Sequence, residues 1–365
     1  MAYTTIDDPS AHHQTVLYSG NGGSNAITFG GNSDMQPDWV WIKCRSNAST
    51  NHYLWDSSRG VTKYLSPSQD IAESADAASL TAFGSDGFTM GDGGAEMNNS
   101  GRTYIGWGWK CNGGSTTSGG GTDSIATSTY QANTTAGFSI VTYTGEASAK
   151  TVAHGLGVKP NVIIVKCRQQ KDWHVYFDGG QVSDPETDYL RFNTNLALTD
   201  NDTSWNDTAP TTSVFTIGSG SGGDANGNTD TFVAYCFANI QGYSKFGSYT
   251  GNGNADGPFV YTGFKPAYLV MKETTGTGNW AIIDSTRSTH NVGNHTLAFN
   301  SDGAESAFGD GASVDGDYNR IDLLSNGFKI RDNSAYNNND GDKFVYMAFA
   351  EQPFVSSKGV PCPAR

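Results

Sequence analysis

The residues of this chain that could perform acid–base chemistry are its seven histidines and its 36 carboxylates, of which few are glutamates. The glutamates lie only at positions 73, 96, 146, 186, 273, 305 and 351, and no E-x-D-x-x-E strand occurs among them. Glycoside hydrolysis needs two carboxyl groups that flank the bond to be broken. A serine on a G-x-S-x-G turn, another common hydrolytic device, is also missing. The sequence therefore predicts that the chain is not an enzyme, and polysaccharide depolymerisation is the least favoured alternative.

Metal binding has only weak candidates in aspartate-rich loops, DNSAYNNNDGD and, as the one retained, GDGASVDGDYN. Its Asp310, Asp315 and Asp317 could supply carboxylate oxygens to Ca²⁺. The loop does not fit the D-x-[DN]-x-[DN]-G pattern of a calcium loop, so a structural turn is the favoured interpretation. No other cofactor is predicted.

Surface recognition is the chemistry that the aromatic residues could support, because exposed rings stack on sugars or grip a partner. Trp205 lies in the polar stretch NDTSWNDT, and Trp173 follows the basic turn RQQKD. Arg59 and Arg287 follow two similar strands, in SSRG and STRS. These four residues are the predicted glycan-binding or partner-binding candidates, with packing inside a loop as the alternative for Trp205.

The elements that must position these residues form a set of sequence blocks that occurs three times in the same order, which indicates an internal repeat. The blocks are a Tyr-Ser/Thr-Gly triplet from Tyr18, Tyr143 and Tyr249; an apolar strand ending in Lys43, Lys166 and Lys272; a strand ending in Asp56, Asp178 and Asp284; a run around Leu65, Leu190 and Leu297; a block around Phe88, Phe215 and Phe328; and a closing strand from Thr103, Thr231 and Lys343.

The repeat changes how single residues are interpreted, because a residue found in every copy is better explained by the scaffold than by catalysis. Lysine and aspartate are separated by 13, 12 and 12 residues in the three copies. An aspartate at the end of a strand commonly accepts backbone N–H groups of the following turn. His52 and His174 match Trp280, which favours packing over a catalytic role.

Short alternating apolar runs bounded by Gly, Asn and Asp predict strands throughout. The predicted fold class is all-β, with three tandem β-sandwich units of jelly-roll or concanavalin-like type. The first unit spans residues 1–112, the second residues 137–242, and the third residues 243–365 with a C-terminal tail. Residues 113–136 are rich in Gly, Ser and Thr and are predicted to be a flexible linker.

Charge and composition exclude several classes of function. The formal net charge of -14 disfavours nucleic-acid binding, since that affinity depends on Lys and Arg that neutralise phosphates. No apolar run is long enough to insert into a membrane, and the N-terminus lacks the features of an export signal. The five cysteines lie mostly in apolar runs and are predicted to be buried free thiols.

The blocks PDWVWIKCR, HYLWDSSRG, GSDGFTMGD, YIGWGW and FVYMAFAEQPF resemble a family of virion structural proteins of marine tailed phages. The resemblance covers nearly the whole chain. It implies a concanavalin-like sandwich and a tail or tail-fibre component of the particle. The missing export signal and the free cysteines independently favour assembly in the host cytoplasm. The resemblance transfers no functional residues. The second copy departs most, because GGQVS replaces the arginine-containing turn.

Two functions follow as expectations. The first is a virion protein of the tail or tail fibre that contributes to the recognition of host-surface glycans, with other virion proteins as partners. Weak binding by each copy would be strengthened by the multivalency of a particle. The second is an architectural capsid-decoration or tail-assembly protein without a ligand. Three units could imitate a three-fold arrangement within one chain, or the chain could form a homotrimer.

Overall fold

The computed structural model describes residues 2–93, 96–122, 124–219, 224–307 and 320–363, and these residues form an all-β fold built from antiparallel sheets, as predicted. Strand pairing occurs within three successive parts of the chain: residues 13–109 (the first segment), 117–237 (the second) and 244–353 (the third). The described helices are the short α1 (Ala335–Asn338) and two 3-10 turns (Pro9–Ala11 and Gly120–Thr122), and none is long and apolar enough to cross a membrane.

The strands of the first segment are β1 (His13–Ser19), β2 (Asn25–Ile27), β3 (Trp39–Cys44), β4 (Tyr53–Asp56), β5 (Lys63–Leu65), β6 (Ser74–Ala75), β7 (Leu80–Gly84), β8 (Gly87–Met90) and β9 (Thr103–Trp109). Those of the second segment are β10 (Thr117–Ser118), β11 (Ser128–Asn133), β12 (Phe138–Thr144), β13 (Lys150–Ala153), β14 (Val162–Cys167), β15 (Trp173–Phe177), β16 (Asp188–Arg191), β17 (Thr199–Asp200), β18 (Val214–Ile217) and β19 (Thr231–Phe237). Those of the third segment are β20 (Ser244–Thr250), β21 (Phe259–Tyr261), β22 (Phe264–Glu273), β23 (Ala281–Asp284), β24 (His295–Ala298), β25 (Ser306–Ala307), β26 (Ile321–Leu324), β27 (Gly327–Ile330) and β28 (Lys343–Pro353).

Each segment contains one large sheet, and the strand order of the large sheets is the same. It is β1-β9-β3-β4-β5-β6 in the first segment and β20-β28-β22-β23-β24-β25 in the third. The second segment has the equivalent order β12-β19-β14-β15-β16-β17, with β11 and β10 added at the edge. The closing strand of each repeat therefore lies inside its sheet, between the Tyr-Ser/Thr-Gly strand and the lysine strand.

A small sheet accompanies each large one: β2-β8-β7, β13-β18 and β21-β27-β26. The repeated phenylalanines Phe88, Phe215 and Phe328 lie in these small sheets and are buried. They belong to three separate clusters of buried residues, one for each segment, that also include residues of the adjacent large sheet. Each segment thus has an outer core of its own, as expected for two sheets packed face to face.

The opposite faces of the three large sheets meet in one central core. This cluster of buried residues draws on all three segments and is rich in Trp, Phe and Tyr. Ring pairs join every two segments: Trp39 with Tyr235 at 4.9 Å, Phe237 with Phe349 at 5.8 Å, and Trp41 with Phe299 at 4.1 Å between ring centroids. The segments therefore form one body around a shared core.

The Tyr-Ser/Thr-Gly triplet of each segment contacts the loop that precedes the closing strand. The hydroxyls of Tyr18, Tyr143 and Tyr249 donate to the backbone oxygens of residues 97, 225 and 337, at 2.6, 2.7 and 2.7 Å. The glycine of the triplet is required by a close approach of the same loop. A Cβ at Gly20 would lie 2.2 Å from the oxygen of Asn99, and Gly145 and Gly251 are equally crowded.

The repeated lysines are fully buried and connect neighbouring segments. The ammonium group of Lys43 donates to the carbonyls of Cys44, Thr50 and Asp302, and that of Lys166 to those of Asp70, Gln169 and Lys171. Lys272 donates to Glu273 and Asn195. Burial lowers the pKa of each of the three to about 8. Each lysine thus bonds to one carbonyl from another segment.

The predicted flexible linker is wrong for most of residues 113–136. This stretch contains the strands β10 and β11, and β11 pairs with β12 along its whole length. Gln131 is buried, its amide nitrogen donates to Ser57 and Ser58 of the first segment, and its oxygen accepts from Asn112 and Gly114. The polar composition misled because these side chains pair with polar groups of the neighbouring segment.

The prediction of buried free thiols is confirmed for Cys44, Cys111, Cys167 and Cys236, and Cys362 is half-buried and free. Burial raises the pKa of Cys236 to about 12, which keeps this thiol protonated at neutral pH.

A shared core predicts that the chain unfolds in one step. Separating one segment would expose the aromatic core of the other two, so partly unfolded states are costly. We expect a single endothermic transition in scanning calorimetry, with a calorimetric enthalpy close to the van't Hoff enthalpy. Two or three resolved transitions would show that the segments fold independently.

Candidate functional site

Arg59 and Arg287, predicted to bind a ligand, are instead buried in ion pairs. The Nε of Arg59 contacts Asp56, and its Nη1 lies 3.0 Å from Glu73. Arg287 contacts Asp284 in the same way and lies 3.3 Å from Glu305. The two arginine side chains are 1% and 0% exposed. These residues are therefore parts of the scaffold, since no surface ligand can reach them.

A second arginine from a neighbouring segment completes each group. Arg168 binds Glu73 through two bonds of 2.9 and 2.7 Å, and Arg45 binds Glu305 with the same two lengths. Such paired bonds are the strongest that a guanidinium forms with a carboxylate. Asp56 also accepts a 2.7 Å hydrogen bond from the hydroxyl of Tyr235, in the second segment.

This pairing makes both glutamates poor general acids. Burial alone would raise the pKa of Glu73, but Arg168 and Arg59 outweigh it and hold that pKa below the usual value. The pKa of Glu305 is lowered in the same way by Arg45 and Arg287. A general acid of a glycosidase needs a raised pKa. The two groups thus give no support to hydrolysis.

The second segment lacks this buried pair, and the strand register shows why. Trp39 faces Asp56 and Tyr268 faces Asp284, but Val162 at the equivalent position faces Phe177. Asp178, which the sequence matched to the two aspartates, lies one residue further on, where its half-exposed carboxylate binds Lys159 at 2.8 Å. The matching of Asp178 to Asp56 and Asp284 was therefore wrong.

The same one-residue shift affects the start of these strands. The residue of the second segment that is equivalent to His52 and Trp280 is Trp173, not His174. All three reach a backbone carbonyl of another segment: His52 Nε2 lies 2.9 Å from Ala298, Trp173 Nε1 donates to Ser66 at 3.0 Å, and Trp280 Nε1 donates to Arg191 at 2.9 Å. The expected packing role of this position holds, with Trp173 as the second member.

The remaining positions of the ion-pair group are also replaced where the second segment meets the third. The backbone N–H of Glu73 donates to the backbone carbonyl of Arg168, and that of Glu305 to the carbonyl of Arg45. At the equivalent place in the third junction, the N–H of Leu198 donates to the carbonyl of Thr274. Leucine and threonine thus stand where the other two junctions have glutamate and arginine. Apolar residues commonly replace a buried ion pair without loss of stability.

The prediction that aspartates at strand ends accept backbone N–H groups is confirmed at two of three positions. Asp56 accepts from the N–H of Arg59 at 2.9 Å, and Asp284 from that of Arg287 at 2.8 Å.

The tryptophan candidates are also buried, so neither can bind a surface ligand, and for Trp205 the packing alternative is the one that holds. Trp205 is 1% exposed, lies beside His174 and Tyr176, and donates its indole N–H to the carbonyl of Asp188. It fills the outer core of the second segment. Trp173 is 0% exposed and lies in the central core. The polar sequence surroundings misled because the Trp205 ring fills the outer core from a loop, and because Trp173 begins strand β15 directly after a polar turn.

The calcium candidates Asp310, Asp315 and Asp317 lie outside the described residues. Within the part of the chain that is described, no group of three His, Cys, Asp or Glu side chains is arranged to hold a metal ion.

A cleft with a volume of about 510 Å³ lies where the second and third segments meet. Hereafter the cleft denotes the space lined by Asn193, Thr194, Asn195, Thr277, Gly278, Asn279, Asn300, Ser301 and Tyr336. Amide and hydroxyl groups dominate this lining, and none of its described residues carries a charge. The cleft can therefore donate and accept several hydrogen bonds to one uncharged ligand.

Two equivalent asparagines fix the walls of the cleft. The side-chain oxygen of Asn193 accepts from the N–H of Trp173, and that of Asn300 from the N–H of Trp280, both at 3.0 Å. Their amide groups donate to Asp172 at 2.8 Å and to Asn279 at 2.7 Å. These bonds hold the loops before two core strands in place, so the cleft is preformed.

Other lining residues present their side chains outward. Asn195 is held through its backbone oxygen, which accepts from Gly278 and Lys272, while the residue itself is exposed. Thr277 is exposed, and Tyr336 is 36% exposed on α1, where its N–H is capped by Ser334. Asn195, Thr277 and Tyr336 are thus the groups of the cleft that a ligand can reach most easily.

Two asparagines in the repeated blocks are a sequence signal for this site. Asn193 and Asn300 end the matching blocks YLRFN and TLAFN, whereas the first segment has Ser68 at that place. The oxygen of Ser68 lies 3.4 Å from the N–H of His52, which is the same role with a shorter side chain. An asparagine shared by only two copies marks the junction where the cleft forms.

We predict that Arg59→Met lowers the free energy of unfolding by about 3–5 kcal/mol, because it leaves the buried Asp56 without its cation. The matched control is Arg102→Met, which removes an exposed ion pair with Glu96 and should cost at most about 1 kcal/mol. Urea unfolding measures both values. Equal, small losses would contradict a structural role for Arg59.

A second prediction concerns acid stability. Burial, with a further contribution from Arg191, lowers the pKa of His174 to about 3. The pKa of a histidine in an unfolded chain is about 6.5. Between these values the unfolded chain binds more protons, so stability falls as the pH drops below about 6.5. His174→Phe should therefore reduce the loss of unfolding free energy between pH 7 and pH 5 by about 2 kcal/mol. The control is His290→Gln, at an exposed position, which should leave that loss unchanged. An unchanged loss in His174→Phe would show that the imidazole is not buried in solution.

Comparisons with known proteins place the chain in a family without an assigned role. A search of curated proteins and a search of solved structures found no significant match. Residues 8–353, which include all three segments, match the model of a family described as a domain of unknown function, DUF7483. The chain therefore belongs to the DUF7483 family.

Proposed function

We propose that this chain is a structural protein of a tailed-phage virion and that its cleft binds an uncharged glycan of the host surface. The observation that carries the glycan assignment is the cleft itself, a preformed space of about 510 Å³ lined by amides and hydroxyls. Sugars present many hydroxyl groups, which pair well with such a lining. The exposed ring of Tyr336 supplies an apolar surface for the C–H groups of a sugar.

Charge supports the choice of an uncharged ligand. The described residues that line the cleft bear no cation to bind a phosphate or carboxylate, and the net charge of -14 repels anions at longer range. A purely apolar ligand fits poorly as well, because it would leave the amides of the cleft without partners.

The virion assignment is supported by the resemblance of the sequence blocks. It also agrees with a body in which the three segments share one aromatic core, because a particle component must hold together in the assembled virion. A tail or tail fibre carries several copies of its proteins, so weak binding at each cleft would add up to firm attachment.

The architectural alternative also has an observation in its favour. Most of the aromatic residues lie in the central and outer cores, and one face of each large sheet joins the segments. A decoration or tail-assembly protein needs such a body and no ligand. Electron microscopy of the particle distinguishes the two roles, because a host-binding protein must leave the cleft open to the outside.

The cleft assignment is tested on a printed array of neutral and acidic oligosaccharides. We predict that the wild-type chain binds neutral glycans and that Asn195→Ala weakens this binding by about five- to tenfold, through loss of one or two hydrogen bonds. Asn228→Ala, an exposed asparagine outside the cleft, is the control and should bind like the wild type. Retention of acidic glycans alone, or of none, would contradict the proposal.

A further inference from the structure

Two aromatic side chains of the third segment are exposed on one strand. Phe259 and Tyr261 lie on the short strand β21 and are 47% and 53% exposed, whereas Val260 between them is buried. Alternate residues of a strand point to the same side, so the two rings share the outer face of the small sheet. At about 3.3 Å per residue they are roughly 7 Å apart along the strand. We call Phe259 and Tyr261 the aromatic pair.

The fold does not require the aromatic pair. Val260 faces Phe328, just as Ile27 faces Phe88 and Val152 faces Phe215, so the three strands are in equivalent register. At the positions of Phe259 and Tyr261, the first segment therefore has Ala26 and Thr28, and the second has Thr151 and Ala153. Two copies form the same strand with small residues, so the rings serve something other than folding.

Neighbouring residues hold the pair open. Tyr261 lies opposite Gly327, which has no side chain to cover the ring. The hydroxyl of Tyr3 donates to the carbonyl of Gly263 at 2.7 Å and lies 3.1 Å from the hydroxyl of Tyr261, which therefore donates to it. The phenol is thus fixed at its edge while its ring faces outward.

The size of the exposed surface decides what can bind there. An aromatic side chain offers about 150–250 Å², so rings exposed by half present roughly 100 Å² each. A specific protein partner needs about 800 Å² on each side. The pair is too small for a protein interface and matches two adjacent sugar rings.

The charges beside the pair favour a neutral ligand. Lys329 lies opposite Phe259, but its ammonium group already binds Asp256 at 2.8 Å and the carbonyl of Gly257 at 2.7 Å. The neighbouring Arg331 is likewise paired with Asp322 at 2.6 Å. These cations are neutralised and do not attract an anionic chain.

We propose that Phe259 and Tyr261 form a second carbohydrate-binding site, on which two consecutive residues of a neutral glycan chain stack along β21. The inference rests on the proposed function for the class of ligand, but it uses residues that do not line the cleft. Sugars have an apolar C–H face that packs on an aromatic ring, and hydroxyl groups at their rim that the phenol of Tyr261 can meet.

The test replaces the pair with the residues that the first segment has at the same positions. Phe259→Ala combined with Tyr261→Thr therefore removes both rings with little risk to the strand, and the midpoint of thermal unfolding checks that the chain still folds. The probes are cellotetraose, chitotetraose and mannotetraose, printed on an array and then titrated in solution. Asn228→Ala, at an exposed position outside both the cleft and the aromatic pair, is measured in parallel.

We expect the double variant to lose at least about tenfold in affinity for the tetrasaccharide that the wild type binds best, while keeping its unfolding midpoint. Asn228→Ala should bind like the wild type. Unchanged affinity in the double variant would overturn the second site even if Asn195→Ala confirms the cleft. Failure of the wild type to bind any of the three tetrasaccharides would also overturn it.

Discussion

The structure depends on three buried lysine ammonium groups whose partners among the described residues are backbone carbonyls. A buried cation must be surrounded by hydrogen-bond acceptors, and here these are backbone carbonyls, one of which always comes from a different segment. The first segment supplies the carbonyl for the second, the second for the third, and the third for the first. This cyclic exchange fixes the three large sheets around one core, and removal of any segment would leave a lysine short of a partner.

The three junctions share this geometry but differ in chemistry. Two contain a buried group of Asp, Arg, Glu and a second Arg, whereas the junction of the second and third segments has Phe177, Leu198 and Thr274 in equivalent places. Buried ion pairs must be complete to be tolerated, since a single unpaired charge costs several kcal/mol. The group is therefore either present as a whole or replaced as a whole. The cleft lies at the junction where it is replaced.

Much of the scaffold could be predicted from the sequence, because the repeated blocks carry it. The all-β class, the buried thiols and the structural role of Asp56 followed from strand patterns and from recurrence. Register could not be predicted, as Asp178 shows: an aspartate at the expected spacing stood one residue beyond the true equivalent, Phe177. Only strand pairing distinguishes these two, because a shift by one residue turns each side chain to the other face.

The site residues were predicted least well, and for one physical reason. Tryptophan and arginine in polar stretches look exposed in a sequence, but Trp205 fills an outer core and Arg59 is satisfied by partners far away in the chain. The groups that do reach the surface, Asn195, Tyr336, Phe259 and Tyr261, differ among the copies. In this repeat the residues that the copies share are needed to build the cores. Positions that vary between copies are not needed for the fold. Binding can therefore evolve there without loss of stability.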